Sequence, residues 1–304
     1  MSCAKYVSEN DYIFKCPLCG SNLSVIELKS LICQNRHTFD FTKQGYLNFM
    51  THTVKTKYDK KLFEARRSLM AEVGFFEPVV TEISKSIVNY ASFKQSKKLV
   101  ILDTGCGEGT HLASICAKIN KPIVGIGIDI AKDGIIVAAK NYANQIWSVA
   151  DLAQSPFNDH QFDVILNILS PSNYAEFSRL LKDDGVVIKI VPQSGYLKEL
   201  REAFYEDSDK QTYSNKETVE HFEENFQLIN RSRVTYSIHL NKVTLHALLK
   251  MTPLTWSLTE EKIQAYIATA SSAITVDLEL LIGEKRVNTK TKRPTLNLSV
   301  FSVT

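Results

Sequence analysis

The stretch from Leu99 to Gly109, LVILDTGCGEG, combines an acid with three closely spaced glycines. Four apolar residues precede Asp103, and glycine then occupies every second position at Gly105, Gly107 and Gly109. Such a pattern predicts a buried parallel strand that ends in a tight turn and opens a helix. Glycine permits positive φ angles and a close backbone approach to a ligand. Because open α/β sheets bind ligands at the carboxyl ends of their strands, we expect a ligand site here.

The spacing of the glycines indicates which ligand this site binds. The G-x-G-x-G order differs from the G-x-G-x-x-G fingerprint of dinucleotide sites, which disfavours a nicotinamide oxidoreductase. An acid beside the turn suits a cationic amino-acid group better than a pyrophosphate. S-adenosylmethionine carries an ammonium and a sulfonium, and the turn resembles motif I of the class I methyltransferases. The cofactor-binding residues that this resemblance implies around the turn are Asp103, Gly105, Gly107, Glu108, Gly109, Thr110 and His111.

Two further acids end the next predicted strands. Asp129 follows Asp103 by 26 residues, and an acid there can accept hydrogen bonds from both ribose hydroxyls. Asp151 is placed to accept from the adenine amino group, with the backbone N–H of Leu152 beside it. Each acid could instead be an ordinary helix N-cap, and both interpretations remain open at this point.

The methyl acceptor is expected after the fourth strand, at Asn167-Ile-Leu-Ser170-Pro171. Asn167, Ser170 and the Ser170–Pro171 backbone are candidates to orient the edge of a base. Tyr174 either stacks on a base that has left its stack or simply packs in the core. The segment contains no acid, so the sequence offers no candidate for a proton acceptor.

Cysteine and histidine form a second constellation near the N-terminus. Cys16 and Cys19 are spaced as C-x-x-C, and Cys33 precedes His37 by four positions. Each pair can chelate from one turn, and four such ligands close a tetrahedron around zinc. The alternatives are chance cysteines or a redox pair, but the βαβ pattern expected beside a redox motif is absent. Four protein ligands leave no open position, which favours a structural zinc.

The residues around the cysteines carry aromatic side chains and positive charge. Residues 1–70 hold 11 Lys and Arg against 6 Asp and Glu, although the whole chain has a net charge of only +3. This excess is either a solvated face or a surface that binds phosphates. Four aromatic residues either stack on bases or form a small core beneath the zinc: Phe39, Phe41, Tyr46 and Phe49.

The elements that position these residues alternate along the chain. From residue 97 the pattern predicts a doubly wound parallel sheet, with strands at 98–103, 123–129, 146–150, 162–168 and 185–191, later strands near 228–240 and 273–283, and helices at 110–119, 132–143 and 173–182. Residues 59–90 are predicted to be helical, with Gly74 ending the first segment.

Length and composition agree with this organisation. A chain of 304 residues with 44% hydrophobic content can bury one α/β core and a small accessory module. No apolar run has membrane-spanning length and the N-terminus lacks the apolar core of a signal peptide, so we expect a cytoplasmic protein without a membrane partner. The predicted divisions are a zinc-binding module at 1–50, a basic helical linker at 51–95, a catalytic domain at 96–285 and a basic extension at 286–304.

Taken together, the motifs resemble the family that methylates N1 of guanine in hairpin 35 of 23S rRNA, in its Gram-positive branch. The resemblance covers roughly residues 12–285. The matching segments are C-P-L-C to G-Y-x-N (Cys16 to Asn48), Ala65-Arg66-Arg67, Leu102 to Gly109, Asp129-Ile-Ala-Lys132, Leu169 to Tyr174, and Met251-Thr-Pro253 with Trp256.

This resemblance implies a class I S-adenosylmethionine-dependent fold with a seven-stranded sheet, a structural zinc on Cys16, Cys19, Cys33 and His37, and a homodimer whose cleft holds the RNA hairpin. It also implies a target in the 745/748 region, in a branch linked to macrolide sensitivity. The basic segment with Arg66 and Arg67 is then expected to grip the hairpin backbone. The alternatives are an RNA-binding protein with a vestigial cofactor pocket, and a methyltransferase for a small molecule or a protein.

Overall fold

The structure is a computed structural model that describes residues 3–52, 54, 56, 58–92, 98–205, 213–269 and 273–286. Its organisation is a small N-terminal sheet packed against a larger, mostly parallel sheet with helices on both faces. Of the helices in these ranges, none has the length and apolar character required to cross a membrane. The predicted extension at 286–304 lies outside the described residues, apart from Arg286.

The N-terminal sheet has three short antiparallel strands with β2 in the centre. Its elements are helix α1 (Cys3–Ser8) and strands β1 (Leu23–Ile26), β2 (Ser30–Cys33) and β3 (Thr38–Asp40). Gly20 has a φ of +73° and donates its N–H to the carbonyl of Cys16 at 2.8 Å. This turn brings Cys16 and Cys19 to the same end of the sheet as Cys33.

The larger sheet follows the predicted alternation of strands and helices. Among the described residues its strand order is β10-β11-β9-β8-β5-β6-β7-β4, with β5 to β9 parallel at the centre and β10 and β11 antiparallel at one end. The strands are β4 (Leu47–Asn48), β5 (Leu99–Thr104), β6 (Ile123–Asp129), β7 (Ile146–Val149), β8 (Phe162–Ile168), β9 (Leu181–Pro192), β10 (Phe226–His239) and β11 (Ala273–Lys285).

Helices cover both faces of this sheet. They are α2 (Lys60–Arg67), α3 (Glu77–Ser92), α4 (Thr110–Lys118), α5 (Lys132–Asn141), α6 (Tyr174–Leu180), α7 (Lys198–Phe204), α8 (Lys216–Asn225), α9 (Lys242–Met251) and α10 (Glu260–Thr269). A π-helical turn, Ser68–Glu72, follows α2. Gly74, with a φ of +71°, lies between this turn and α3, so the predicted end of the first helical segment is confirmed.

The class I methyltransferase fold is confirmed, but the sheet has one strand more than expected. Within the described residues the eighth strand is β4, which belongs to the predicted N-terminal module and pairs in parallel with β7. The Phe49 N–H continues this pairing by donating to the carbonyl of Val149 at 2.9 Å. An edge strand exposes unpaired backbone groups, and Leu47 is fully buried where it covers that edge.

Aromatic packing joins the small sheet to the large one. The Phe14 ring lies 5.4 Å from the ring of Phe157 and 6.0 Å from that of Phe49. The backbone N–H of Lys15 donates to the carbonyl of Pro156 at 3.0 Å. The two sheets therefore share one continuous core, because Phe14 and Phe157 are both fully buried.

Candidate active site and zinc centre

A cavity of about 670 Å³ opens at the carboxyl ends of the parallel strands. Its walls come from β5 to β9, from α2 and from the segment after α9. The lining residues most relevant to chemistry are Arg66, Gly105, Gly107, Asp129, Asp151, Leu152, Ser170, Pro171 and Lys189. The structure thus brings cofactor and acceptor candidates from distant parts of the sequence into one space.

The glycine turn has the backbone that the sequence predicts. Gly105, Gly107 and Gly109 all have positive φ, at 69°, 57° and 83°. A Cβ at Gly109 would overlap the Trp147 ring, and a Cβ at Gly105 would lie 2.8 Å from the Cβ of Ser170. Larger residues would therefore disturb both the turn and its contact with the acceptor segment.

Asp103 is the most unusual acid of the site. It is only 1% exposed, and neither of its carboxylate oxygens has a hydrogen-bond partner within the described residues. Burial raises the pKa of Asp103 to about 7, although the positive charge of Arg66 opposes this rise. A buried acceptor without a donor is costly, so this carboxylate has the chemistry to receive a cationic group, although it lies behind the lining residue Gly105 and is not itself among the residues that line the cavity.

Glu108, Arg66 and His111 form a buried cluster behind the turn. Glu108 accepts a hydrogen bond from Arg66 Nε at 2.9 Å, and Arg66 Nη2 lies 3.5 Å from His111 Nδ1. Burial and the charge of Arg66 hold the pKa of His111 well below its usual range, which keeps the ring neutral. Arg66 was expected to contact the RNA backbone, which stays a prediction; its guanidinium lies against the turn and lines the cavity.

The remaining turn residues lie behind the cavity wall. Glu108, Gly109, Thr110 and His111 are buried and are not among the residues that line the cavity in the described structure. The Thr110 hydroxyl lies 2.8 Å from the Tyr142 hydroxyl. These four residues therefore shape the turn from beneath in this structure.

Asp129 and Asp151 line the cavity and also make capping hydrogen bonds. Asp129 accepts from the N–H of Gly107 at 2.8 Å and from that of Ala131 at 2.7 Å. Asp151 caps the short turn Leu152–Gln154 by accepting from the N–H of Ala153 at 2.8 Å. The two interpretations of these acids are compatible, because a carboxylate offers about four lone-pair positions and both residues still line the cavity.

The acceptor segment is held by a hydrogen-bond network around Asn167. The buried Asn167 amide donates to Ser170 Oγ at 2.7 Å and to the carbonyl of Pro171 at 2.9 Å. Ser170 Oγ in turn donates to the carbonyl of Thr104 at 2.7 Å, which ties this segment to the end of β5. Leu169 has a φ of +52°, a strained conformation for a residue with a side chain.

Tyr174 is placed in the core rather than at the cavity. Its ring packs within 6.0 Å of Phe177, Phe222 and Phe226, and it is not among the cavity-lining residues. The structure therefore favours the packing alternative for Tyr174, because a ring that is fixed among three others is not free to stack on a base.

The sequence reasoning missed Lys189 of β9. It is 4% exposed, lines the cavity, and donates from Nζ to Asn167 Oδ1 at 2.6 Å. Burial lowers the pKa of its ammonium to about 8. The available signal was a lysine inside the apolar run Val186-Val-Ile-Lys-Ile190, since a buried strand rarely holds a charge without a reason.

The four predicted metal ligands converge at one end of the small sheet. Their ligand atoms all lie within 4.8 Å of one another. Cys19 Sγ and Cys33 Sγ are 3.7 Å apart, and His37 Nδ1 lies 3.4 Å from Cys16 Sγ and 3.5 Å from Cys33 Sγ. Tetrahedral zinc with bonds of about 2.3 Å to sulfur and 2.0 Å to nitrogen requires edges of about 3.8 and 3.5 Å, so the predicted zinc set fits.

The aromatic residues beneath this zinc centre pack as a core. Phe39, Tyr46 and Phe49 are buried, and Phe41 is partly buried against the same cluster as Phe39. The rings of Phe39 and Phe49 are 5.0 Å apart. This arrangement favours the structural alternative for Phe39, Tyr46 and Phe49, because buried rings cannot stack on bases, whereas Phe41 keeps part of its surface exposed.

Two family models match the two parts of this description. Residues 14–57 match the family described as "RlmA, N-terminal", a zinc ribbon, and residues 95–251 match a methyltransferase domain. A solved phosphoethanolamine N-methyltransferase 2 of Haemonchus contortus, in complex with S-adenosyl-L-methionine, is 14% identical with a TM-score of 0.45. The match covers 76% of this chain and 58% of that one.

Two curated relatives match almost the whole chain. YxjB of Bacillus subtilis (strain 168), named as a 23S rRNA (guanine-N(1)-)-methyltransferase, is 48% identical over 90% of this chain and 97% of its own length. The 23S rRNA (guanine(748)-N(1))-methyltransferase of Streptomyces fradiae is 25% identical over 84% of this chain and 89% of its own. With a zinc ribbon, a class I methyltransferase sheet and a relative of this similarity, the chain belongs to the 23S rRNA (guanine-N1-)-methyltransferase family.

Proposed function

We propose that this chain methylates N1 of a guanine in hairpin 35 of 23S rRNA, in the 745/748 region, with S-adenosylmethionine as the methyl donor. The observation that carries the proposal is one cavity lined both by cofactor candidates, from Gly105 to Asp151, and by Ser170 and Pro171 of the acceptor segment. The family relationship supplies the substrate, since the Streptomyces fradiae relative is named for guanine 748.

We assign each of the candidate residues a separate role in binding the cofactor or the acceptor. Asp103 would hold the ammonium of the cofactor, the Gly105–Gly107 backbone would lie along it, and Asp129 and Asp151 would accept from its ribose and adenine groups. When bound, S-adenosylmethionine supplies an activated methyl group. The chain's contribution is mainly to orient the two reactants and to exclude water, for which the Asn167 network provides a rigid edge at the acceptor side.

The N-terminal sheet is proposed to contact the RNA. The basic excess of residues 1–70 supports this role, because positive charge attracts the phosphate backbone and gives salt-dependent binding. A target guanine must leave its stack to enter the cavity, which suits a hairpin loop. We extend the proposal to a homodimer that holds the hairpin between two copies, and to a cytoplasmic location beside the ribosome.

Transfer to a defined transcript tests this proposal. The purified protein is incubated with methyl-labelled cofactor and a transcript of hairpin 35, and the nucleosides of the product are identified by mass spectrometry. We expect 1-methylguanosine from this transcript and none from a matched control in which the 745/748-region guanines are replaced by adenines. Equal labelling of both transcripts, or label only in protein or small molecules, would contradict the proposal.

A further inference from the structure

A lysine amine lies beside the acceptor segment, Asn167 to Pro171, which contains no acid. Lys189 lies on β9, in register with Asn167 of β8 on one side and Leu281 of β11 on the other. It is 4% exposed and lines the cavity together with Ser170 and Pro171. Its amine is therefore buried beside the segment where the methyl acceptor is proposed to bind.

The hydrogen bonds of Lys189 can be made by its neutral amine. Nζ lies 2.6 Å from Asn167 Oδ1 and 2.6 Å from Ser172 Oγ, and Ser172 Oγ donates to Asn167 Oδ1 at 2.9 Å. A neutral amine has two N–H groups and one lone pair. Both N–H groups have acceptors here, so the lone pair is left for a further donor.

Within the described ranges no carboxylate forms an ion pair with Lys189, although acids lie on the same face of the sheet. Asp277 and Glu279 of β11 alternate with Leu281 on this face, but Arg233 holds Asp277 at 2.7 Å and Arg231 holds Glu279 at 2.6 Å. The other titratable groups that line this space are Tyr58, Arg66, Asp129, Asp151, Tyr196 and Tyr213. Asp103 at the end of β5 and His221 of α8, which contacts Tyr174, are not among the lining residues. Because no acid pairs with Lys189 in these ranges, burial determines the shift and lowers the pKa of Lys189 to about 8.

We propose that Lys189 is the general base that accepts the N1 proton of the target guanine, an inference that rests on the proposed function. The N1–H bond breaks and the proton moves to Nζ, which becomes an ammonium. The electron pair left on N1 forms the bond to the methyl carbon, whose bond to sulfur breaks with its pair remaining on sulfur. The ammonium then releases its proton to water at the cavity mouth.

Neighbouring groups serve this step by position. Asn167 and Ser172 hold the two N–H groups of Lys189 and thereby orient its lone pair, so they are positioning residues. Asp129 and Asp151 lie at the ends of β6 and β7, which are separated by β5 from the acceptor segment after β8, and they accept from backbone N–H groups there. Burial raises the pKa of Tyr196, which makes its phenolate a poor candidate for the same role.

Single-turnover methyl transfer to the hairpin 35 transcript, measured from pH 6 to pH 10 with saturating RNA and cofactor, tests Lys189 directly. Because the neutral amine is the active form, the wild-type rate should rise with pH and level off near the pKa of about 8. In Lys189→Met the rate at pH 7 should fall by at least about 100-fold, the usual contribution of a general base. Its residual rate should keep rising with pH, without the break near 8.

Two further variants separate a base from a structural residue. Lys189→Arg keeps the charge and the donors but cannot accept a proton in this pH range, so it should bind RNA and still fail to transfer. Lys85→Met makes the same chemical change at an exposed position of α3 and should retain the wild-type rate and pH profile. A target 8-azaguanine, whose N1 is more acidic, should rescue Lys189→Met more than it accelerates the wild type.

The outcomes distinguish this inference from the proposed function. If the wild type transfers no methyl to the transcript, the proposed function is wrong and the role of Lys189 falls with it. If the wild type is active and Lys189→Arg retains its rate and its pH profile, the general-base role alone is overturned. A variant counts as folded if its affinities for cofactor and for RNA stay within about two-fold of wild type. If Lys189→Met does not meet this criterion, the rate and pH profile of Lys189→Arg test the general-base role instead.

Discussion

At the scale of single residues, two ionisable groups at the carboxyl ends of the strands are buried without an ion pair among the described residues. Asp103 and Lys189 are both nearly inaccessible, and burial moves the pKa of each toward neutrality, to about 7 and about 8. Perturbed values of this kind concentrate at functional sites. Asp103 has no hydrogen-bond partner in the described residues, and Lys189 has the neutral partners Asn167 and Ser172. Both groups therefore cost the protein stability when they are charged, and a bound ligand can compensate for this cost.

Asp103→Asn should stabilise the ligand-free protein at alkaline pH. The folded-state pKa of about 7 lies above the ordinary 3.8, so the folded state holds a proton that the unfolded state has lost. Asp103 therefore lowers the free energy of unfolding progressively as pH rises from about 4 to 7, by about 4 kcal/mol in full. Asparagine cannot ionise, so the variant should have a higher Tm than wild type at pH 8 and a smaller difference at pH 5.

The same variant should bind S-adenosylmethionine more weakly. Loss of a charged hydrogen-bond acceptor lowers affinity by about 10- to 100-fold, which isothermal titration calorimetry at pH 8 can measure. For the wild type, affinity should fall as pH drops below about 7, because the carboxylate takes up a proton. The account of Asp103 would be contradicted if Asp103→Asn bound S-adenosylmethionine as tightly as wild type and if the Tm difference between the two proteins were the same at pH 5 and pH 8. Asp103 would then be an ordinary core residue.

At the scale of elements, α2 is attached to the glycine turn by one ion pair. Arg66 Nε contacts Glu108 Oε2 at 2.9 Å, with side chains 19% and 1% exposed. The adjacent Arg67 pairs instead with Glu72, whose side chain is 57% exposed. Helix α2 also lines the cavity, and the π-helical turn and the left-handed Gly74 follow it before α3 begins.

Arg66→Ala and Arg67→Ala should therefore differ in stability. Removing Arg66 leaves the buried Glu108 carboxylate unpaired, which lowers the free energy of unfolding by about 3 kcal/mol. Arg67→Ala breaks an exposed pair and should change it by less than about 1 kcal/mol. Urea unfolding of both variants measures the difference. Equal stabilities, with a loss of RNA affinity in Arg66→Ala, would instead restore Arg66 to the RNA-binding surface.

The elements themselves were largely predictable, because local periodicity specifies them. The central strands β5, β6 and β8 lie within one residue of their predicted bounds, since a buried apolar run ended by Asp or Asn leaves little choice. The strand β4 could not be predicted, because two residues have no periodicity and their pairing with β7 is a tertiary contact.

Side-chain positions could be predicted only for residues whose partners lie close to them in the sequence. The C-x-x-C pair and the glycine turn are local, so their geometry followed from spacing. Tyr174 and Lys189 depend on which way a side chain faces across a long strand or a helix start. Their environments come from β8, α8 and β11, which are distant in sequence, so no local pattern distinguished packing from chemistry.

At the scale of the whole molecule, the two sheets are one structural unit. The zinc centre lies at the end of β2, while β4 and the Phe14–Phe157 contact connect the N-terminal residues to the methyltransferase core. A rigid connection of this kind fixes the position of a proposed RNA-binding surface relative to the cavity. Under the proposed function, the fold would set the distance between hairpin and cavity, and this distance would select the target base.

The position of the methyl group on ribosomal RNA tests this account most directly. Methylation at N1 blocks Watson–Crick pairing and stops reverse transcriptase, so primer extension through hairpin 35 reports it. We expect one stop in the 745/748 region in cells with the gene, its loss on deletion, and its return with the wild-type chain but not with Asp103→Asn. The same stop in the deletion strain, or a gene-dependent methyl group outside this hairpin, would contradict the account.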